Sequence, residues 1–185
     1  MCWCDGSQRR IFYLAPAANP ARQEKTTRYP SPSPLPEKSR AAVAEALEAV
    51  LADGLDLHAQ IKVAHWNVKG PHFPALHPLF ETFATALSVH TDAVAERAVT
   101  LGAVVRGTVR HVAARSRLPE YAQETTRGLE HVRLLSERFE RFLAGVRHAR
   151  GIAQAQGDDD TVDLLTTLVE EFEKNAWFLR ATLAE

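Results

Sequence analysis

Residues 65–96 read HWNVKGPHFPALHPLFETFATALSVHTDAVAE. Two pairs of potential metal ligands recur in this stretch at a spacing of four: His77 with Glu81, and Asp92 with Glu96. Residues four apart lie one turn apart on the same face of an α-helix, so one helix would present all four side chains along one side. The pattern predicts a long helix with a metal-binding face, for which the other segments serve as scaffold.

Apolar residues repeat at intervals of three and four along most of the remaining chain. This periodicity predicts four long amphipathic helices: about residues 36–68, 74–101, from a cap at Thr125 or Thr126 toward Gly157, and from the aspartates at 158–160 to the end of the chain. A short helix over residues 108–115 is expected in the connector between the second and third. No β-strand pattern occurs, so we predict an all-α, ferritin-like four-helix bundle.

The composition changes near residue 36. Residues 1–36 hold six of the ten prolines and five basic residues against two acidic ones. Such a segment cannot build a core, so we predict a flexible basic tail over residues 1–36 and the bundle over residues 37–185. Cys2 and Cys4 both lie in the tail, which excludes a disulfide framework in the body. No apolar run is long enough to span a membrane, and a cytoplasmic location is expected.

The ligand face of the second helix lies away from its apolar side. At about 100° per residue, Glu81, Asp92 and Glu96 lie about 40°, 60° and 100° from His77, whereas the apolar stripe clusters near −60° to −120°. Glu81 and Asp92 are about 16 Å apart along the axis, too far to share one ion. Two antiparallel copies around a two-fold axis would bring opposite ends together, with His65 as an added ligand.

Two imidazoles and three carboxylates form a nitrogen and oxygen ligand set without sulfur, which favours Fe(II) or a similar divalent ion. A simpler interpretation stays open, in which the carboxylates lie on a solvated face and the histidines pack or cap. A ferritin-type di-iron site in the bundle core needs Glu-x-x-His on two helices, and no glutamate here has a histidine three residues later. His58 is expected to pack in the core. Five other histidines are expected at the surface or an interface: His72, His90, His111, His131 and His148.

Several segments resemble the Dps family, the DNA-binding proteins from starved cells, which are ferritin-like mini-ferritins. They are AHWNVKGPHF at 64–73, the spaced His77, AERAVTLG at 95–102, GT at 107–108, GDDDTVDLLT at 157–166 and WFLRATL at 177–183. The resemblance covers about residues 40–185. It implies a hollow dodecamer with ferroxidase centres at two-fold interfaces, where Fe(II) is oxidised, chiefly by hydrogen peroxide, and stored inside as an Fe(III) mineral.

The resemblance also assigns the ligands. Asp92 and Glu96 of one subunit with His65 of its mate resemble the tight iron site, whereas His77 and the residue at 81 resemble a weaker second site. Position 81 is usually Asp in the family, and this chain has Glu81. The longer side chain puts the geometry of the second site in question.

Three further residues match family features. Trp66 resembles a residue that passes electrons or quenches radicals, although an interface aromatic would look the same. Asp159 and Asp163 resemble the acidic lining of the three-fold pores through which iron enters, although Asp159 also suits a helix N-cap.

DNA binding is the second activity that the resemblance implies, together with protection of DNA under stress. A flexible arm could contact phosphates non-specifically through Arg9, Arg10, Arg22, Lys25 and Arg28. The acidic body would oppose this contact. Two alternatives stay open: a structural shell protein that compacts DNA with a weak or inactive metal centre, and a plain interaction bundle in which the ligand set arose by chance.

Overall fold

A computed structural model describes residues 30–184, so the five basic residues and two cysteines of the predicted tail lie outside the described residues. Five helices follow one another: α1 (Glu37–Asn67), α2 (Phe73–Thr100), α3 (Val109–Arg115), α4 (Gly128–Ala155) and α5 (Asp159–Leu183). The part of the chain that the structure describes contains no strand, and a single β-bridge joins Lys69 and Arg127. The predicted all-α fold is confirmed, while the division of the chain near residue 36 stays a prediction.

Two short connections make neighbours of consecutive helices. Residues 68–72 join α1 to α2 and residues 156–158 join α4 to α5, and each pair packs side by side as short loops require. Contacts of α1 with α4 and of α2 with α5 complete the bundle, and α3 lies on α1. Five phenylalanines at the centre are fully buried: Phe80, Phe83, Phe139, Phe142 and Phe172. Between residues 30 and 184, no helix is long and apolar enough to cross a membrane.

One glycine sets the distance between α1 and α2. A Cβ atom at Gly54 would lie 2.5 Å from Cγ2 of Thr91, which is closer than such atoms approach. Glycine at position 54 therefore lets the two helices come together. Thr91 precedes Asp92, so this contact also fixes where the second pair of candidate ligands lies.

The start of α4 differs from the prediction. The helix begins at Gly128 after Arg127, so neither Thr125 nor Thr126 is its N-cap. The backbone carbonyl of Thr126 instead accepts a hydrogen bond from the backbone N–H of Lys69, at 2.8 Å. Pairing with the α1–α2 connection keeps this segment extended, and a local propensity signal cannot anticipate a partner so distant in sequence.

The N-cap of α5 is Asp158 rather than Asp159. Its buried carboxylate accepts hydrogen bonds from the backbone N–H of Thr161 at 3.2 Å and from the Thr161 hydroxyl at 2.6 Å. The Arg97 guanidinium donates to the same carboxylate at 2.5 Å and to the Thr161 hydroxyl at 2.8 Å. The last turn of α2 is thereby joined to the first turn of α5.

Buried polar contacts tie the connector between α2 and α4 to α1. Asp53 is 1% exposed and accepts two hydrogen bonds from the Arg117 guanidinium, at 2.9 and 2.6 Å, and one from the Arg117 backbone N–H at 2.8 Å. Arg138 donates to the side-chain oxygen of Gln60 at 2.7 Å and to the backbone carbonyl of Glu120 at 2.9 Å. These contacts satisfy charges that would be costly to bury alone.

Candidate metal centre

His65, near the end of α1, and His77, in the second turn of α2, hold each other in place. Their rings stack with centroids 3.8 Å apart and planes 24° from parallel. The Nδ1 atom of each ring lies 2.9 Å from the backbone carbonyl oxygen of the other residue. Because a carbonyl can only accept, both Nδ1 atoms carry the proton. The two Nε2 atoms are left for other partners, and a metal ion binds an imidazole held in this way through that nitrogen.

The connection between α1 and α2 explains this juxtaposition. Gly70 has φ +94°, a left-handed conformation that favours glycine, and its carbonyl accepts the Phe73 N–H at 3.0 Å. Pro74 then occupies the first turn of α2, where a missing N–H costs nothing. The Phe73 ring lies 4.9 Å from the His77 ring, tilted by 33°. The tight turn thus brings the two histidines together.

Glu81 lies one turn beyond His77 and is engaged by a cation. Its Oε2 atom accepts a hydrogen bond from Lys62 Nζ and lies 3.4 Å from Nε2 of His65. The hydrogen bond from Lys62 lowers the pKa of Glu81 below its ordinary value, so the carboxylate is ionised at neutral pH. A metal ion beside His65 and Glu81 would therefore compete with the ammonium group.

His58 belongs to the same side of α1 and is half-buried rather than packed in the core, contrary to the prediction. Burial lowers its pKa most, the nearby Lys62 lowers it further, and Glu81 raises it. These influences place His58 within the electrostatic reach of the candidate centre. Its position seven residues before His65, two turns away on one helix face, accounts for this.

The second pair of candidate ligands lies further along α2. Asp92 and Glu96 are both exposed, and Asp92 borders a surface depression with Leu55, Ser88 and Ala95. The predicted separation of the ligand face from the apolar face is observed. Six apolar residues of the helix and its C-cap Leu101 are buried: Leu76, Phe80, Phe83, Leu87, Val94, Ala98 and Leu101. The carboxylates project from a helix whose opposite side forms the core.

One chain does not assemble a complete centre. Within residues 30–184, no group of three or more His, Cys, Asp or Glu side chains is placed to hold a metal ion. The structure brings together His65, His77 and Glu81, whereas Asp92 lies about 16 Å beyond Glu81 along α2 and Glu96 lies one turn further. One chain therefore holds the predicted ligands in two separate groups.

The remaining predicted site residues lie at the surface. Trp66 is 67% exposed, and Nζ of Lys62 lies 5.8 Å from the centre of its ring. Asp159 and Asp163 are exposed, one turn apart on α5. Their side chains share one face at the end of the bundle where α5 begins.

Lys62 was not identified from the sequence, although a signal for it exists. Lys62 precedes His65 by three residues on α1, and Glu81 follows His77 by four on α2. Once the two histidines are expected to meet, the neighbouring turns must face each other as well. The pair Lys62 and Glu81 could have been derived from that geometry.

Two of the five histidines that are expected at the surface or an interface are buried within the chain. His131 is completely buried, and its Nδ1 atom lies 2.7 Å from the Tyr121 hydroxyl. His90 is 9% exposed, and its Nε2 atom lies 2.8 Å from the Glu171 carboxylate. One nitrogen of each ring reaches a polar partner on another segment, which lowers the cost of burial and which the sequence pattern does not reveal. Nε2 of His131 is buried without a hydrogen-bond partner.

Known proteins share this architecture. A family model described as a ferritin-like domain matches residues 44–185. The DNA protection during starvation protein of Agrobacterium fabrum is 35% identical over 151 residues, which cover 82% of this chain and 93% of that protein. DpsC from Streptomyces coelicolor has a TM-score of 0.82 at 33% identity, covering 89% of this chain and 96% of that chain. A Dps protein from Vibrio cholerae O1, described as one of the ferritin-like diiron-carboxylate proteins, has a TM-score of 0.78 at 28% identity, covering 81% and 94%.

Proposed function

Because the chain belongs to the Dps family of ferritin-like proteins, we propose that it oxidises Fe(II) to Fe(III), chiefly with hydrogen peroxide. The ferric product is stored as a mineral inside a hollow dodecamer, and DNA is thereby protected from oxidative damage. The observation that carries the proposal is the reciprocal bonding of His65 and His77 through Nδ1, which leaves both Nε2 atoms for another partner. Such preset imidazoles suit a metal ion better than an ordinary packing role.

The centre is completed by a second subunit. Around a two-fold axis, antiparallel α2 helices place His65 and His77 of one subunit beside Asp92 and Glu96 of its mate. Each interface then holds two equivalent centres, and each centre combines imidazole and carboxylate side chains. Fe(II) neutralises carboxylates that would be costly to enclose at an interface alone.

The residues hold and orient the iron substrate, and iron supplies the electrons. Asp92, Glu96 and His65 provide the tighter position, and His77 with Glu81 provides a second one. Hydrogen peroxide takes up two electrons when its O–O bond breaks, and two Fe(II) ions supply one each. Oxidation in pairs avoids release of hydroxyl radical, which is how the reaction protects DNA.

Glu81 makes the second position weaker than the first in this chain. Its carboxylate already accepts a hydrogen bond from Lys62, so a metal ion must displace an ammonium group to bind there. The longer side chain of Glu, compared with the Asp usual in the family, allows this reach toward α1. We infer sequential filling, with the position at Asp92 and Glu96 occupied first.

Assembly and iron entry follow from the same proposal. Asp159 and Asp163 form an exposed acidic face that would line three-fold pores and attract Fe(II) toward the cavity. DNA contact is assigned to the basic residues of the tail, with the strong salt dependence of phosphate binding. Those residues are Arg9, Arg10, Arg22, Lys25 and Arg28.

Peroxide consumption by anaerobically loaded protein tests the activity. We expect about one peroxide consumed per two Fe(II) ions, without release of hydroxyl radical. The double variant His65→Ala and Asp92→Ala should lose this reaction. A matched control, His148→Ala with Glu170→Ala, removes an exposed histidine and an exposed carboxylate elsewhere and should retain it. Unchanged oxidation in the His65 and Asp92 variant would refute the site.

The second candidate is a structural shell protein that compacts DNA with a weak or inactive centre. The engagement of Glu81 by Lys62 favours it, because a cation occupies part of the ligand set. The peroxide experiment described above distinguishes the two candidate functions. A shell protein would assemble and bind DNA, yet Fe(II) added to it would react with peroxide at the rate of free iron.

A further inference from the structure

A buried tyrosine and a buried histidine are hydrogen bonded between the start of α4 and the connector before it. The Tyr121 hydroxyl lies 2.7 Å from Nδ1 of His131, and the two rings are within 9° of parallel. Tyr121 is 3% exposed and His131 is completely buried. Burial lowers the pKa of His131 and raises that of Tyr121, so both are neutral at neutral pH. The hydroxyl then donates and Nδ1 accepts.

This pair lies next to the candidate metal centre. Backbone acceptors of Asn67 and Thr125 lie beside the His131 ring, and Asn67 follows His65 by two residues. The Phe80 ring lies 6.4 Å from the His131 ring, and Phe80 follows His77 by three residues on α2. Each ligating histidine is thus connected to His131 through a few residues of packed protein.

The weak second iron position creates a need that this pair can meet. When Lys62 retains Glu81, a centre can hold a single Fe(II), which gives peroxide only one of the two electrons it accepts. The missing electron must come from the protein or from whatever the resulting radical attacks. Resting on the proposed function, we propose that Tyr121 supplies this second electron while its phenol proton moves to Nδ1 of His131.

The step balances in atoms and charge. The O–O bond of hydrogen peroxide breaks and yields two hydroxide ions. Fe(II) loses one electron and becomes Fe(III), and the Tyr121 phenol loses the other. The phenol O–H bond breaks, and its proton forms an N–H bond at Nδ1, leaving a neutral tyrosyl radical beside an imidazolium. A later Fe(II) ion returns an electron to the radical, and the proton goes back to the phenol oxygen.

The surroundings of Tyr121 require the proton to leave with the electron. The Arg138 guanidinium carbon lies 5.2 Å from the centre of the tyrosine ring, and a positive charge there opposes formation of a cationic phenol radical. His131 removes that obstacle by accepting the proton, and the nearby backbone of Thr125 and Asn67 offsets part of the effect of burial, which lowers the pKa of His131. Tyr121, at 3% exposed, keeps the radical shielded from solvent.

Paramagnetic resonance on the assembled full-length protein tests the assignment. The chain has three tyrosines, so Tyr13→Phe with Tyr29→Phe leaves Tyr121 as the only one. This background is loaded anaerobically with one Fe(II) per subunit, mixed with peroxide and frozen. A parallel sample without iron is oxidised by a photogenerated one-electron oxidant. Both are repeated with ring-deuterated tyrosine, in Tyr121→Phe and in His131→Gln.

We expect a radical signal that narrows on ring deuteration and falls at least about tenfold in Tyr121→Phe. In D2O, the spectrum of the tyrosyl radical should show hyperfine coupling to a deuteron that is hydrogen bonded to its oxygen. This measurement reports on His131 in the unaltered protein, so it does not require His131→Gln to fold. In folded His131→Gln the tyrosyl yield should fall and hydroxyl radical release should rise. A signal unchanged in Tyr121→Phe, or no tyrosyl signal under either oxidant, overturns the proposal. If the protein does not oxidise iron but the iron-free sample still shows the Tyr121 radical, the ferroxidase activity is refuted and the Tyr121–His131 redox pair is supported.

Discussion

Lys62 on α1 donates a hydrogen bond to the Glu81 carboxylate on α2 and so places an ammonium group against a proposed iron ligand. Lys62→Met keeps the length of the side chain and removes the charge. We expect the second metal position to tighten by about tenfold, the scale of one close charge contact near a surface. Anaerobic calorimetric titration with Co(II) measures this, with Lys69→Met as the control at an exposed lysine that contacts no proposed ligand. Equal affinities in both variants would show that Lys62 does not compete.

Close helix approach at Gly54 gives a prediction about stability. Helix propensity alone would favour Gly54→Ala by up to about 1 kcal/mol. The Cβ atom would instead meet Thr91 at 2.5 Å, so we expect a loss of about 1–3 kcal/mol from overpacking. Gly151→Ala is the matched control on α4, because nothing lies within 4 Å of its Cβ position, and it should stabilise. Denaturant midpoints measure both, and stabilisation of Gly54→Ala would contradict the packing.

The fold followed from sequence periodicity, while the finer contacts did not. The apolar stripe from Leu76 to Leu101 identified α2 and its buried side correctly, because helix geometry alone converts spacing into a face. The predicted N-cap of α4 was wrong by one or two residues, since Thr126 pairs with Lys69, a partner far away in the chain. Local sequence signals describe one segment at a time, whereas a pairing such as Thr126 with Lys69 depends on two segments.

The candidate centre was also predicted only in part. Spacing predicted that His77 and Glu81 share a face and that Asp92 and Glu96 lie too far along the helix to join them. It did not predict the mutual bonding of His65 and His77, which depends on how closely a turn at Gly70 brings two helix ends together. Burial of His131 was not predicted because its partner Tyr121 lies in the irregular connector, where no hydrophobic periodicity indicates which way a side chain points.

His131 also predicts how stability depends on pH. Burial lowers its pKa in the folded state below the ordinary 6.5, so the unfolded chain binds its proton at a higher pH than the folded chain does. The free energy of unfolding should therefore fall as pH drops below about 6.5, by at most about 1.4 kcal/mol per pH unit for this group, and flatten below the folded pKa. In His131→Gln the fall should be shallower. His148→Gln, at an exposed histidine, should keep the wild-type slope in denaturation at pH 5–8.

The basic tail predicts salt-dependent DNA binding. Replacing Arg9, Arg10, Arg22, Lys25 and Arg28 by Gln removes the proposed phosphate-binding charges while keeping the chain length. Binding to duplex DNA should weaken, and the slope of log affinity against log salt should become shallower by about 0.9 for each phosphate that is no longer neutralised. Mobility shifts at several salt concentrations measure this. An unchanged slope would assign DNA binding to another surface.

The proposed centre requires ligands from two subunits at one interface. Subunits carrying His65→Ala lack the imidazole half, and subunits carrying Asp92→Ala lack the carboxylate half. If each centre takes one half from each of two subunits, a mixed interface contains one doubly altered centre and one intact centre. If the centre lies within one chain, every centre in a mixture is damaged.

Peroxide-dependent Fe(II) oxidation by co-refolded mixtures of His65→Ala and Asp92→Ala subunits therefore tests the central claim most directly. Random pairing makes half of the interfaces mixed, so the shared centre predicts recovery of about a quarter of wild-type activity from two inactive variants. A mixture of co-assembled subunits that is no more active than either variant alone would contradict it.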